Sequence, residues 1–547
     1  MKRTPFEQLR ALRVDPPHRQ LLRVAKVGVK TRFPLEFVGH PLGALALIRE
    51  RGLNAGMLHA LHATQHPQRA ALVDGHRTVS YAQADAEISR VAHALRHRLG
   101  LERGEAIALA MENRAEYVLV WFAAMRAGVR VLHAGSHLTT EELAHVLLTG
   151  RGRVVFASGA MVDAARAVPR ELTRVVLDGA PRAGEWSWAD VIDEAPPHGH
   201  VPPRAPPESV VFTSGTTGRP KGAARDFLAF GPFELARVLE RLPFKTGERH
   251  LVVAPLSHSA PQVFALVHTA LGATLHLEPR FDAAATARTL GARRIQSVFM
   301  VPTMLRRLLD QPSSPTPELR AVVVGSSEFS EELRREAIAR FGATAVFDFY
   351  GATELGWVTL IRGDEMLARP GSVGRALAGQ ELCVLDERGR PCPPRTVGLI
   401  GVRNAQTMLG YTGDEAATHE TRRAGWTTVE DTGWLDEDGY LYLSGRARDM
   451  VKSGGVNVYP AEVERVLLED PQIREAVVIG RKDREWGERV TAVVVPRGAG
   501  FDAEAARERA KQHLSAAKVP REWVVVDALP RNANGKVLRT ELRARFP

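Results

Sequence analysis

The run Thr213-Ser-Gly-Thr-Thr-Gly-Arg-Pro-Lys-Gly222 follows three apolar residues, Val210-Val211-Phe212, that read as a short buried strand. A strand that feeds a loop of Gly, Ser and Thr and closes on a lysine has what a phosphate site needs. Glycines let backbone N–H groups turn inward, and hydroxyls with a cation supply further partners for negative oxygen. The spacing from Gly215 or Gly218 to Lys221 does not give the GxxxxGK[ST] pattern, so this is a different loop from that of the P-loop nucleotide enzymes.

Outward from this loop, the chain alternates short β runs with helical stretches. Residues 70–73 and 106–110 read as strands, and 82–98 and 116–127 as helices. Further strands are expected at 251–254, 297–300 and 321–324, each followed by a helix, which argues for α/β layers. A proline-rich connection, 196–207, leads into the loop strand. From Val373 to about Ser444 the texture changes to short strands and Gly/Asp turns, as in a small β subdomain, and a compact α/β unit follows to the C-terminus.

At 547 residues the chain is too long for one simple core, and two or more domains are expected. A hydrophobic content of 44% with 25% charged residues places it among ordinary globular proteins. The two cysteines, Cys383 and Cys392, exclude a disulfide framework, suit a reducing compartment and stand in no zinc-like cluster. No stretch approaches the roughly 20 apolar residues that span a bilayer, and no apolar segment follows the basic start to make a signal peptide. A cytoplasmic location is therefore expected. The net charge of +10 is spread over the whole chain without a nucleic-acid motif, so no nucleic-acid partner is expected. At the N-terminus Arg10, Arg13, Arg19, Arg23, Lys26, Lys30 and Arg32 meet few acids. They read as a solvated face, with peripheral attraction to anionic lipid as the competing reading.

Four more segments carry chemistry-bearing residues in order: Ala254-Pro-Leu-Ser-His-Ser259; Asp348-Phe-Tyr-Gly-Ala-Thr-Glu354; Asp431 with Thr432-Gly-Trp-Leu-Asp-Glu-Asp-Gly439; and Gly445-Arg-Ala-Arg-Asp-Met-Val-Lys-Ser-Gly-Gly455. Pro530-Arg-Asn-Ala-Asn-Gly-Lys536 closes the series. Taken singly, each has a plain reading as a turn, a strand end or a hairpin tip. Together with the 213–222 loop they resemble the adenylate-forming superfamily, which contains acyl-CoA synthetases, luciferases and peptide-synthetase adenylation domains. The resemblance covers roughly residues 65–540.

That resemblance implies an α/β fold with two layered α/β subdomains and a small β subdomain in a large N-terminal domain, joined by a hinge to a small α+β domain. The expected division is an extension of unknown role at 1–55, a large adenylation domain at 56–445 and a small mobile domain at 446–547. It implies ATP, Mg²⁺ and coenzyme A as cofactor and co-substrates. Thr213, Ser214, Gly215, Thr216, Thr217, Gly218 and Lys221 would cradle phosphate. Asp348 would bond the adenine amino group, Tyr350 would stack on the ring with Gly351 as a neighbouring cofactor-binding position, and Thr353 would reach the α-phosphate. Glu354 would hold Mg²⁺, which suits hard oxygen ligands. Asp431 would take both ribose hydroxyls. The usual Thr-Gly before that aspartate is here Val429-Glu430, and Asp431 is preferred to Glu430.

Arg446 would help hold ribose or phosphate, and Arg448 falls at the hinge. The Ser453-Gly454-Gly455 loop would border the pantetheine path, and Lys452 beside it would be a cofactor-binding residue. Lys536 would be the catalytic lysine, stabilising the charge that builds when a carboxylate attacks the α-phosphate. His258, Phe264, Val301 and Gly325 would line the acyl pocket, together with Gln262, Val263, Met300, Met304 and Trp357. Ser259 stands where amino-acid-activating relatives place a carboxylate near this position, which argues against an amino-acid substrate.

The implied reaction is ATP- and Mg-dependent activation of a medium- or long-chain fatty acid to its coenzyme A thioester. The rival readings are an acyl-AMP ligase that loads an acyl carrier protein, a luciferase-like oxidation, and a non-catalytic nucleotide- or lipid-binding relative. Intact Lys221, Glu354, Asp431 and Lys536 speak against the last.

Overall fold

The computed structural model describes residues 17–31, 55–169, 171–193, 208–213, 220–226, 232–312, 315–453, 456–498, 500–531 and 537–546. Two large sheets enclose a layer of helices, and a third sheet is built only from strands after residue 450.

The expected early elements form where the pattern places them. Strand Ala106–Ala110 is buried on both faces, as an unbroken apolar run in a parallel sheet should be. Helix Tyr81–His97 starts on a capping box in which Ser80 accepts from the Gln83 N–H while the Gln83 side chain accepts from the Ser80 N–H. Helix Ala115–Ala127 is apolar all round and buried along its whole length, the behaviour of a helix held inside a layered core. It stops at Gly128, whose φ of +70° supplies the left-handed cap.

The main core joins both large sheets across these helices. Leu72, Val252 and Leu275 of one sheet share a cluster with Ile107, Leu109 and Val131 of the other. Between them the Tyr117 hydroxyl donates to Leu256 O at 2.9 Å and lies 2.6 Å from His133 Nδ1. Burial drives the His133 pKa down to about 3 and so keeps the ring neutral.

In the fifteen-stranded sheet, strands Arg249–Val252, Ser297–Met300, Ala321–Gly325 and Val346–Ala352 run parallel. The eight-stranded sheet has the same character through Glu208–Thr213, Arg130–His133 and Ala106–Ala110. The chain therefore leaves both sheets at carboxyl ends, where ligands bind in open α/β sheets. The β-rich segment expected after Val373 is antiparallel. Its strands continue the larger sheet, because Gly356–Arg362 pairs with Ser372–Ala376. The change of texture marks a switch in strand direction within a continuous hydrogen-bond ladder.

A 3₁₀ turn, Ala447–Asp449, connects the last strand of that sheet, Tyr440–Arg446, to Val451–Ser453 of the third sheet. Helix Pro460–Leu468 begins on its proline as expected. At the other end, helix Pro17–Thr31 packs on helix Pro232–Arg241. Of the basic N-terminal residues, Lys26 is exposed, while Arg23 and Lys30 face that partner helix. Arg10, Arg13 and Arg32 lie outside the described residues.

Candidate active site

The loop strand Glu208–Thr213 and the returning strand Lys221–Asp226 pair antiparallel, with Thr213 opposite Lys221. Ser214, Gly215, Thr216, Thr217 and Gly218 lie outside the described residues. The Thr213 hydroxyl points to Lys221 O at 3.4 Å and to Glu354 Oε1 at 3.5 Å, so the loop strand and the Asp348–Glu354 segment meet.

Glu354 sits in a tight turn between strands Val346–Ala352 and Gly356–Arg362. Gly351 makes that turn possible: a Cβ there would come 2.3 Å from the Gly356 carbonyl oxygen. Glu354 is only 8% exposed. Its Oε1 accepts a 2.8 Å hydrogen bond from the Tyr411 hydroxyl, and burial followed by the Glu354 charge raises the Tyr411 pKa. Lys221 Nζ lies 5.5 Å over the Tyr411 ring and 3.7 Å from Asp414 Oδ2. Burial works against the charge of Arg225, which Glu354 supports. Two hydroxyls and the Arg225 charge thus converge on one carboxylate, with Lys221 stacked over the tyrosine that holds it.

A second knot lies along the same cleft. The Tyr350 hydroxyl donates to Asp431 Oδ2 at 2.9 Å, and Arg446 Nε donates to Asp431 Oδ1 at 3.2 Å. Asp431 and Arg446 are directly opposed in neighbouring strands. Burial disfavours the Arg446 charge, but Asp431, Asp449 and Glu354 outweigh it and hold its pKa above the usual value. The structure therefore sets Asp431 beside Tyr350. Its neighbour Glu430 adopts φ +63°, a left-handed backbone unusual for a side-chain-bearing residue.

Asp348 is placed differently. It is buried, and its Oδ2 accepts from Arg334 at 2.6 Å. Burial lifts its pKa to about 6 against the pull of Arg334. Arg334 also donates to Ser372 O, so this carboxylate is tied into the helix Glu331–Phe341.

Thr353 Oγ1 lies 3.0 Å from Ser259 Oγ, joining the Glu354 turn to the start of helix Ser259–Ala270. His258 is the residue that precedes this helix. Phe264, on the same helix, is fully buried, stacked on Phe299 at 4.9 Å and tilted against Trp357 at 4.8 Å. Gly325 lies opposite Phe349, and a Cβ there would come within 2.5 Å of that ring. Val301 and Met304 pack at the edge of this aromatic cluster. Gln262 is turned away from it, its amide donating to Leu256 O at 2.8 Å.

Lys452 stands exposed on the third sheet, apart from both knots. Gly454, Gly455 and Lys536 lie outside the described residues. Flanking Lys536, Arg531 and Val537 form an antiparallel bridge.

Tyr411, Asp414 and Arg225 were not anticipated. Tyr411 arrives because the two-residue strand Gly410–Tyr411 adds to Lys221–Asp226, a pairing between segments far apart in the chain. The only local signal was the turn-like run Gly410-Tyr-Thr-Gly-Asp414.

Among the described residues no group of three or more His, Cys, Asp or Glu side chains could hold a metal ion alone. Glu354, with hydroxyls from Thr213 and Tyr411 nearby, offers hard oxygen donors of the kind that suit magnesium.

The model of the AMP-binding enzyme family matches residues 60–412, and that of the AMP-binding enzyme C-terminal domain matches 462–536. A fatty acid–[acyl-carrier-protein] ligase, ScoC of Streptomyces coeruleorubidus, is 32% identical over 89% of this chain and 95% of its own length. An indoleacetate–CoA ligase of Aromatoleum aromaticum is also 32% identical, over 88% of this chain and 96% of its own. The crystal structure of ATP-bound MatB from Rhodopseudomonas palustris superposes with a TM-score of 0.82 at 29% identity, covering 90% of this chain and 99% of that one. By these matches the chain belongs to the AMP-binding enzyme family of the adenylate-forming superfamily.

Proposed function

We propose that this protein is an acid–thiol ligase that activates an apolar carboxylic acid with MgATP and passes the acyl group to coenzyme A. The observation that carries this reading is the convergence of Thr213, Arg225 and Tyr411 on Glu354, with Lys221 over the Tyr411 ring and the Tyr350–Asp431–Arg446 knot beside it.

In the first half-reaction an acid oxygen attacks the α-phosphorus, and the bond to the β-phosphate breaks to release pyrophosphate. Lys221 and the loop around it neutralise the phosphates, and Tyr411 and Thr213 fix the Glu354 carboxylate. Glu354 would hold Mg²⁺, whose charge offsets that of the phosphates when bound. Asp431 would accept from the ribose hydroxyls, with Tyr350 under the adenine and Thr353 near the α-phosphate. Lys536 would supply the cation between acid and ATP. In the second half-reaction the thiol loses its proton and attacks the acyl carbon, and the acyl–phosphate oxygen bond breaks to free AMP. Residues 446–547 would turn about Arg448 between the steps, withdrawing Lys536 and bringing Lys452, Gly454 and Gly455 to the thiol path.

The Phe264 cluster, in which Phe299, Phe349 and Trp357 pack together, supports an apolar acid, fatty or aryl. A carrier protein is the second reading for the acceptor. Relatives of equal identity differ here, one named for a carrier protein and one for coenzyme A. No helix among the described residues is long and apolar enough to cross a membrane.

The test is release of AMP and pyrophosphate from MgATP with a panel of fatty and aryl acids, with and without coenzyme A. Coenzyme-A-dependent AMP release is expected. Pyrophosphate release that coenzyme A does not stimulate, with adenylate left on the protein, would establish the carrier reading.

A further inference from the structure

The helix Pro17–Thr31 precedes the segment matched by the family model, which starts at residue 60. It is nevertheless bound firmly to the large domain. Lys30 Nζ donates to three carbonyls at the end of helix Pro232–Arg241, those of Leu239 (2.9 Å), Glu240 (3.0 Å) and Leu242 (3.1 Å). Those carbonyls lack intrahelical partners, and a cation there also meets the negative end of the helix dipole. Arg23 Nε pairs with Glu240 at 2.7 Å. Thr31 O accepts from both the N–H and the hydroxyl of Thr246.

Two routes lead from this clamp to the acid end of the site. The first is apolar: Val27, 5% exposed, belongs to the same buried cluster as Leu235 and Leu239 of the clamped helix and as Phe264, Phe299 and Trp357. The second is polar. Glu234, on the clamped helix, is buried and accepts from Gln406 Nε2 at 3.2 Å. Gln406 Oε1 in turn accepts from the Trp357 N–H at 3.1 Å, three residues beyond Glu354. The clamped helix is therefore linked on one side to the N-terminal helix and on the other, through Gln406, to Trp357.

We propose that helix Pro17–Thr31 is the outer wall of the acid site and helps to set which acid is accepted. This rests on the reading of the Phe264–Trp357 cluster as the acyl wall. Val27 fixes the depth of the wall, and Arg23 and Lys30 fix its position.

The test compares the full-length protein with Val27→Ala, Val27→Phe and the double variant Arg23→Ala/Lys30→Met. Acid-dependent pyrophosphate exchange is measured across straight-chain and aryl acids of increasing size, together with the KM for ATP. One methylene in a hydrophobic pocket changes selectivity ten-fold or more, so an indirect wall should shift the kcat/KM ratio of large to small acids by about five-fold. Val27→Ala and the double variant should favour larger acids, Val27→Phe smaller ones, with the ATP KM unchanged. An unaltered acid profile in the double variant, whose changes lie outside the core, overturns the wall even if the Val27 variants fail to fold. A wild-type protein that exchanges pyrophosphate with no acid overturns the reading of the site, and the wall with it.

Discussion

At the end proposed to hold the nucleotide, Glu354 meets a tyrosine hydroxyl at 2.8 Å, and Asp431 meets a tyrosine and an arginine. At the end proposed to hold the acid, Phe264, Phe299, Phe349 and Trp357 lie ring against ring. The two ends share a turn, since Thr353 and Glu354 separate Tyr350 from Trp357 by only a few residues. What differs is the kind of information each end holds. Phosphate, ribose and metal demand particular functional groups, so residue identity matters most. An apolar tail demands only volume, so shape matters, and shape is set by every element behind the rings.

The largest expected effect falls on the nucleotide end. Lys536→Ala should lower single-turnover adenylation by about 10²–10³-fold, the loss typical of one transition-state donor. Thioester formation from supplied acyl-adenylate should survive, and equal loss in both half-reactions would remove the assignment. Glu354→Gln keeps the shape and deletes the charge. Exchange should fall about 10²-fold and the magnesium requirement rise about ten-fold, as expected for a carboxylate proposed to hold the metal. An unchanged magnesium titration would show that Glu354 is not its ligand.

Tyr411→Phe removes one hydrogen bond to that carboxylate. A loss of about ten-fold in kcat/KM is expected, equivalent to roughly 1.4 kcal/mol; a neutral variant would mean Glu354 is positioned without it. Phe264→Leu should leave the ATP KM within about two-fold while reordering the acids, since swaps near constant volume are tolerated by the fold. A change confined to ATP would break the division between the two ends.

The smallest expected effect on chemistry comes from mild acid, which acts on the scaffold behind both ends. Burial lowers His59 to a pKa of about 3, His62 to about 4 and His133 to about 3. An exposed histidine in the unfolded chain titrates near 6.5. Below that value the unfolded state takes up protons that the folded state refuses, so stability is full above about pH 6.5 and declines as pH falls towards 4. Thermal midpoints measured from pH 7.5 to 5 should fall steadily. A flat profile would show that these rings are protonated in place.

The strand and helix patterns from residue 70 to 127 were legible because each side chain's burial follows from its local period, and helices Tyr81–His97 and Ala115–Ala127 formed within a residue of expectation. That Thr213 would meet Glu354, and Tyr350 meet Asp431, could be expected from the sequence because the motifs that hold them are specific runs of residues. Tyr411 was not, since its place depends on a strand pairing between Gly410–Tyr411 and Lys221–Asp226 that no local pattern encodes. The salt bridge between Asp348 and Arg334 was hidden for the same reason: the arginine belongs to a helix, the aspartate to a strand, and only packing joins them. The N-terminal helix offered basic residues that suggested a solvated face. Its buried Val27 and the carbonyls that Lys30 meets become visible only against helix Pro232–Arg241.

The late arrival of Gly410–Tyr411 bears on how the chain is made. Until the ribosome has delivered that short strand, Lys221–Asp226 is the open border of the eight-stranded sheet, with N–H and C=O groups free to recruit a stray strand. Lys221, Arg225 and Asp226 place charge along that border and discourage such pairing during synthesis. The same three residues surround two alanines, Ala223 and Ala224, which the arriving strand covers. A nascent or proteolysed chain that ends before residue 410 lacks both the strand that closes this border and the Tyr411 hydroxyl that meets Glu354.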